Sequence, residues 1–171
     1  LSEDPKGREK DYGERMSAWA KRLAPGGSEE LLLAARVQHV RRWSIPRSDF
    51  PATRAGYLAW REKLKRLHAE IAGGLLAAAG YGEASVSKVR SLITRKEKSP
   101  DPEGQVLEDA ACLVFLETEF AEFAAKTEEG KTIDILRKTW EKMSGAGRAA
   151  ALTLSFGERE TLRPGLYTVR L

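Results

Sequence analysis

The two histidines and a group of arginines are the residues of this chain best suited to chemistry. His39 and His68 are its only histidines, and His39 lies in a ten-residue stretch, 38–47, that also holds three arginines and a tryptophan. Imidazole binds metal ions and transfers protons near neutral pH, whereas guanidinium groups bind phosphate and carboxylate. A core helix would not tolerate this density of charge, so we expect any chemistry to be centred on this stretch.

A second group of candidates is an acidic pair inside an apolar run. Glu108 and Asp109 lie within residues 106–116, which are otherwise almost entirely apolar. A buried carboxylate needs a partner, and the partners available are a metal ion shared with histidine or an arginine from residues 36–66. The alternative is a buried polar residue satisfied by a neighbour. The candidate catalytic residues are His39, His68, Glu108 and Asp109, and the candidate ligands of one divalent ion (Mn, Fe, Ni or Zn) are His39, His68 and Asp109.

The distribution of charge predicts a site for an anion. Residues 36–66 contain nine lysines and arginines against two acidic residues, and residues 101–134 contain ten acidic residues against two lysines. Guanidinium groups beside flat aromatic faces recognise phosphates and bases. The alternative is a solvated basic face that pairs with the acidic second half. The candidate ligand-binding residues are Gln38, Arg41, Arg42, Trp43, Arg47, Arg54, Tyr57 and Arg61, with Trp60 as a further flat face. Among them Arg47 is the strongest, because helix patterning does not explain a loop arginine.

Hydrophobic periodicity predicts an all-α fold. Apolar residues recur at spacings of three and four in seven segments, and no strand precedes a glycine-rich phosphate loop, so α/β nucleotide-binding folds are excluded. The pattern puts His39 on the same helix face as Leu32 and Ala35. The predicted helices span residues 12–23, 28–42, 53–79, 84–97, 103–126, 128–143 and 145–154. The stripe predicted to be buried on the long third helix is Tyr57, Trp60, Leu64, Leu67, Ile71 and Leu75, with His68 at its border.

The length of 171 residues predicts one domain, a single bundle of six to seven helices over residues 11–154. Residues 1–10 are expected to be flexible, and residues 155–171 to form an extended arm or a short strand. Cys112 is the only cysteine, which excludes an internal disulfide and favours the cytoplasm. No apolar run is long enough to cross a membrane. The expected partners are therefore an anionic small molecule or a nucleotide, with RNA as a further option and no membrane.

Six motifs carry a resemblance to a known family. They lie at residues 12–17, 34–43, 45–47, 54–61, 107–116 and 138–144, and the second contains Gln38-His39-Val40-Arg41-Arg42-Trp43. Together they resemble DUF4202, a family of domains of unknown function, over nearly all of residues 4–154. This resemblance implies no activity.

The order of these motifs also resembles that of the HD-domain phosphohydrolases, an all-α superfamily with a His…His-Asp…Asp metal site. The resemblance implies that His39 corresponds to the histidine of the His-Asp pair, His68 to a further histidine of two-metal members, and Asp109 to the last aspartate. Val40 replaces the aspartate of the pair, and no histidine precedes His39. A site with one metal ion and a metal-free pocket on an HD-like scaffold therefore both remain open.

Two further positions follow from the same resemblance. Tyr12 or Glu14 falls in the region of the missing first ligand. Lys96 lies near the place where some members have another histidine, and it joins the ligand-binding candidates.

The leading functional expectation is an HD-like hydrolase acting on a phosphate-containing small molecule or nucleotide. His39, His68 and Asp109 would be metal ligands or acid–base groups. In phosphoryl chemistry the protein contributes mainly positive charge that stabilises the phosphate group. This charge would come from Arg41, Arg42, Arg47 and Arg54. The alternative is a catalytically silent module that binds a nucleotide or RNA. A third possibility is an interaction domain whose basic and acidic halves neutralise each other.

Overall fold

The computed structural model describes Asp4, residues 7–94 and residues 101–154. The fold is all-α, as predicted, and the described residues contain no strand. The helices are α1 (Arg8–Leu23), α2 (Glu29–Arg36), α3 (Arg54–Ala78), α4 (Glu83–Thr94), α5 (Pro102–Thr118), α6 (Phe120–Ala125), α7 (Glu129–Lys142) and α8 (Gly145–Ala151), with 3-10 turns at Arg42–Ser44 and Arg47–Asp49. The arm expected at residues 155–171 lies outside the described residues, and so does Lys96.

The chain groups into two compact units, Leu1–Leu107 and Glu108–Leu171. The first contains α1 to α4 and the beginning of α5, and the second contains the rest of α5 with α6 to α8. In the first unit α2 packs against α1 and α4, and α3 packs against α4. None of the described helices is long and apolar enough to cross a membrane.

Helix α1 begins earlier than its apolar pattern predicts. It starts at Arg8 rather than at Tyr12, because the Asp4 carboxylate accepts hydrogen bonds from the backbone amides of Glu9 and Lys10 at 2.8 and 3.0 Å. A carboxylate that satisfies amides of the first turn stabilises a helix start. The last three residues of the segment expected to be flexible are therefore helical. The inner face of the helix buries Met16, Trp19 and Ala20.

Helix α2 ends six residues before the predicted end. Ser28 caps its start, with its hydroxyl accepting from the Leu31 amide. After Arg36 the chain continues in turns closed by hydrogen bonds between residues three apart, such as the amide of Arg42 to the carbonyl of His39 at 3.0 Å. Valines at 37 and 40 favour this change, because β-branched side chains lose rotamer freedom in a helix. His39 therefore lies in a turn and does not continue the face of α2 that was predicted for it.

The buried face of α3 is rotated from the predicted stripe. Tyr57 and Leu75 were predicted to be buried but are 43% and 57% exposed, whereas His68, predicted at the border, is buried. The buried residues are Gly56, Trp60, Leu64, His68, Ala69, Ala72, Gly73 and Leu76. Several of them are small, so α4 and the preceding loop approach α3 closely. A Cβ atom at Gly56 would lie 2.2 Å from the carbonyl oxygen of Pro51.

The helix predicted over residues 103–126 is divided into two in the structure. Residues 103–126 form α5 and α6, which meet at Glu119. The Thr118 hydroxyl donates to the carbonyl of Val114 at 2.7 Å, and such a bond to the preceding turn bends helices. Helix α6 packs against α7. Leu113, Val114 and Phe120 of this segment are buried.

Candidate functional site

His39 is held against the first helix by an aromatic stack. Its ring lies parallel to that of Tyr12, with centroids 3.5 Å apart and planes at 10°. Gly13 follows Tyr12, and a Cβ there would lie 2.4 Å from the carbonyl oxygen of Arg36. The absence of a side chain at 13 lets α1 approach the end of α2, which brings Tyr12 over the turn that carries His39.

Arg42 contacts the imidazole of His39. Its Nη1 lies 3.4 Å from His39 Nε2. A guanidinium group has donors and no acceptor, so this contact is a hydrogen bond when Nε2 carries the lone pair and Nδ1 the proton. The guanidinium carbon also lies 4.6 Å from the ring centroid of Trp60, and the Trp60 indole donates to the carbonyl of Ile45 at 2.9 Å. Arg42 is thus held in place by an aromatic face and by a neutral imidazole.

His68 is the buried member of this group. Its ring centroid lies 6.2 Å from that of His39, with planes at 45°. The residue is only 4% exposed, and its Nε2 has no hydrogen-bond partner in the described structure. A buried polar atom without a partner costs about 1–3 kcal/mol, and such an atom indicates a partner such as water or a ligand. We name Tyr12, His39, Arg42, Trp60 and His68 the His–Arg cluster.

The cluster keeps both imidazoles neutral. Burial, together with the Arg42 charge, lowers the pKa of His68 to about 4. Burial lowers the pKa of His39 well below its ordinary value, and the nearby charges of Arg42, His68 and Arg61 act in the same direction. At neutral pH the positive charge of the cluster therefore resides on the arginines.

Arg42 has little compensating negative charge. The guanidinium is half-buried, and it forms no ion pair with a carboxylate within the described residues. Glu9 of α1 is close enough for the two charges to interact, and burial raises the pKa of the Glu9 carboxyl. A partly desolvated cation with no ion-pair partner is a suitable binding point for an anion.

Arg47 has a structural position. Its Nη1 and Nη2 atoms donate to the carbonyl oxygens of Phe50 and Pro51 at 2.9 and 2.8 Å. These bonds close the loop between the 3-10 turn at Arg47–Asp49 and the start of α3. The loop itself therefore accounts for this arginine.

The other ligand-binding candidates of the first unit lie around the cluster at varied exposure. Arg61 is half-buried, acts electrostatically on His39 and lies 5.9 Å from the Tyr57 ring centroid. Arg54 is the exposed first residue of α3. Gln38 and Trp43 are half-buried in the turns, and Arg41 is exposed with a left-handed φ of 52°.

The acidic pair belongs to the second unit, where it has local partners. Asp109 is 2% exposed, and its carboxylate accepts hydrogen bonds from the backbone amide and the hydroxyl of Ser144. The Ser144 hydroxyl in turn accepts from the Gly147 amide at 3.1 Å and caps α8. Glu108 lies 4.0 Å from the Lys142 amine. Within the described residues, Ser144 is thus a partner that the buried carboxylate requires.

The described residues offer no clustered set of metal-binding side chains. They contain no group of three or more His, Cys, Asp or Glu side chains placed to hold one. Val40, at the position of the aspartate in an HD pair, is buried with 6% exposure. The charge of Arg42 acts on both imidazoles, and it would repel a divalent cation as it opposes their protonation.

The sequence placed Tyr12 only in the region of the missing first metal ligand, and not among the ligand-binding candidates. A signal was present, because Tyr12, Met16 and Ala20 recur every four residues and so share the inner face of α1. From the sequence, Trp60 is only one of several aromatic faces that could lie beside a guanidinium group. The Trp60 ring is held by its hydrogen bond to the carbonyl of Ile45. Helical periodicity does not predict a contact between a helix and the loop before it.

A comparison with models of known protein families shows which family this chain belongs to. The model of DUF4202, a domain of unknown function, matches residues 2–162. The chain belongs to the DUF4202 family. No curated protein and no solved structure matches this DUF4202 domain significantly.

Proposed function

We propose that this DUF4202 domain binds a phosphate-containing small molecule or nucleotide at the His–Arg cluster. The observation that carries the proposal is the half-buried Arg42 guanidinium, held by Trp60 and His39 and without an ion-pair carboxylate among the described residues. Arginine is preferred where phosphate is recognised, because its planar donors match two oxygens at once. Trp60 and His39 restrict the guanidinium before a ligand arrives, which lowers the entropic cost of binding.

The charges of the cluster favour an anion over a cation. Arg42 and Arg61 both oppose protonation of His39. The same positive potential attracts a phosphate group and strengthens its hydrogen bonds in a partly desolvated site. A cytoplasmic protein with such a site would meet many phosphorylated metabolites, nucleotides and RNA ends, and these share the chemistry that the cluster would recognise.

Hydrolysis of the bound compound on an HD-like scaffold is the second candidate. The observation that favours it is the unpartnered Nε2 of His68, a nitrogen that could accept a proton from water. With a pKa of about 4, however, His68 is a weak base at neutral pH, and an efficient general base has a pKa near the working pH. Binding is therefore the conclusion, and release of phosphate from nucleotides with and without added Mn²⁺ would test hydrolysis.

Thermal unfolding with added ligands tests the binding proposal. AMP, ATP, a sugar phosphate and a short RNA are compared on the full chain, and a ligand at 100 times its Kd should stabilise it by about 2.7 kcal/mol. Arg42→Ala should abolish the effect. Arg66→Ala is the matched control, since Arg66 is an exposed arginine that pairs with Glu62 on α3.

Two outcomes contradict the proposal. In the first, no phosphate compound stabilises the parent. In the second, Arg42→Ala responds to the ligand as strongly as Arg66→Ala does. Stabilisation by RNA alone would identify the polymer, and not a small molecule, as the ligand.

A further inference from the structure

We propose that His68 makes the cluster selective for a phosphate group that carries a proton, and that it disfavours sulfate. This inference rests on the proposed function, because it concerns the anion that Arg42 would hold. It assigns to His68 the role of a specificity-determining residue.

The first step concerns which atoms of the cluster still need partners. Arg42 supplies donors only, and the acceptor nitrogen of His39 faces it. The Nε2 of His68 is buried and has no hydrogen-bond partner in the described structure. A ligand that satisfies the cluster must therefore offer negative oxygens to Arg42 and one further hydrogen-bonding group to His68.

The second step concerns the kind of group that His68 requires. Burial and the positive charge of Arg42 lower the pKa of His68 and so keep the ring neutral. With the ring proton on Nδ1, the buried Nε2 carries a lone pair. A lone pair needs a donor. The hydroxyl of a singly protonated phosphate is such a donor, whereas sulfate carries no proton near neutral pH and would set oxygen lone pairs against a nitrogen lone pair.

The third step concerns the proton of the ligand. The second pKa of a phosphate monoester is about 6, so protonated and unprotonated forms are both present near pH 6. The charged and titratable groups around the two histidines are Glu9 and Tyr12 on α1, Arg42 in the 3-10 turn and Arg61 on α3. Because the two arginines oppose protonation of the histidines, the proton of the hydrogen bond between phosphate and His68 should come from the phosphate. Affinity for a phosphate monoester should then decline as the pH rises above about 6.

The test is titration calorimetry of the full chain with inorganic phosphate and with sodium sulfate, at equal ionic strength. At about pH 6, phosphate should bind at least about tenfold more tightly than sulfate, the ratio expected for one buried hydrogen bond. The ratio should shrink by about pH 8. His68→Met, which has similar volume and no such acceptor, should bind both anions within about twofold of each other, and Arg42→Ala should bind neither.

The outcomes separate this inference from the proposed function. If neither anion binds the parent, the proposed function fails and this inference fails with it. If both bind the parent equally at pH 6, the proposed function stands and the selectivity of His68 is refuted. Should His68→Met not fold, the ¹⁵N shift of His68 Nε2 in the parent decides. A bare lone pair that gains a hydrogen bond on phosphate addition supports the inference, and an N–H in the free protein overturns it.

Discussion

Arg47 connects two backbone carbonyls and so holds the loop that leads into α3. Its guanidinium donates to Phe50 and Pro51, and the carbonyl of Pro51 also faces Gly56 at the first turn of the helix. An arginine in a proline-rich loop is a reasonable ligand candidate from sequence. The path of the loop cannot be predicted from the sequence, and it is this path that brings the carbonyl oxygens of Phe50 and Pro51 to the guanidinium.

Substitution of Arg47 separates the two roles. Arg47→Ala should lower the free energy of unfolding by about 1–2 kcal/mol, because two hydrogen bonds from a charged group to the backbone are lost. Phosphate affinity should remain within about twofold of the parent. Urea unfolding and calorimetry measure the two quantities. A large loss of affinity with unchanged stability would instead make Arg47 a ligand contact.

The residues of the candidate site were predictable by type but only partly by arrangement. His39, His68 and Arg42 could be chosen because few residue types bind anions or transfer protons. Their grouping could not be predicted, because His39 reaches the cluster through a turn and Trp60 is fixed by the Ile45 carbonyl. For Asp109 the sequence left open a metal ion, an arginine or a neighbouring polar group, and it could not indicate Ser144, which lies 35 residues away in sequence.

Among the elements, α8 depends on a cap that is built from outside the helix. Ser144 caps α8, and Asp109 of α5 holds Ser144. Gly147 packs against this carboxylate so closely that a Cβ would lie 2.6 Å from its carbon atom. The glycine is therefore required by space and not by backbone conformation.

Two alanine substitutions in α8 test this account. Gly147→Ala should destabilise the protein by about 1–3 kcal/mol, because the new methyl group displaces Asp109 from Ser144. Gly145→Ala is the matched control, since nothing lies within 4 Å of its Cβ position. Its greater helix propensity should stabilise the protein by up to about 1 kcal/mol. Equal effects in denaturant unfolding would refute the role of the cap.

The existence of the helices followed from periodicity, but their ends and faces did not. The start of α1 depends on Asp4, which lies before the helix and outside its apolar pattern. The face of α3 depends on Gly56, Ala69, Ala72 and Gly73, which are buried although they contribute little to a hydrophobic stripe. Small residues are selected there by close approach, and a pattern of large apolar residues does not detect this.

At the scale of the whole molecule, the neutral histidines make stability depend on pH. An unfolded His68 binds a proton below about pH 6.5, whereas the folded residue has a pKa of about 4. Between these values the unfolded state binds more protons, so stability falls as the pH falls through this window. His39 acts in the same direction.

Unfolding in urea between about pH 7.5 and 4.5 measures this dependence. The contribution of His68 to the loss should approach about 3 kcal/mol as the pH nears 4. His68→Met should lose less stability over the same range. The carboxyls of Glu30 and Glu103, whose pKa values are lowered, contribute mainly below about pH 5 and are common to both proteins. Parallel curves for the parent and the variant would contradict the assignment.

The stack of Tyr12 on His39 has a consequence for observing this protein. Two aromatic rings at 3.5 Å and 10° shield each other's protons magnetically. The ring protons of both residues should therefore resonate upfield of their usual positions, and a ligand that moves either ring would shift them back. Because there are only two imidazoles in the chain, their signals can be followed without crowding. The protein thus contains its own reporter for occupancy of the site, with no attached label.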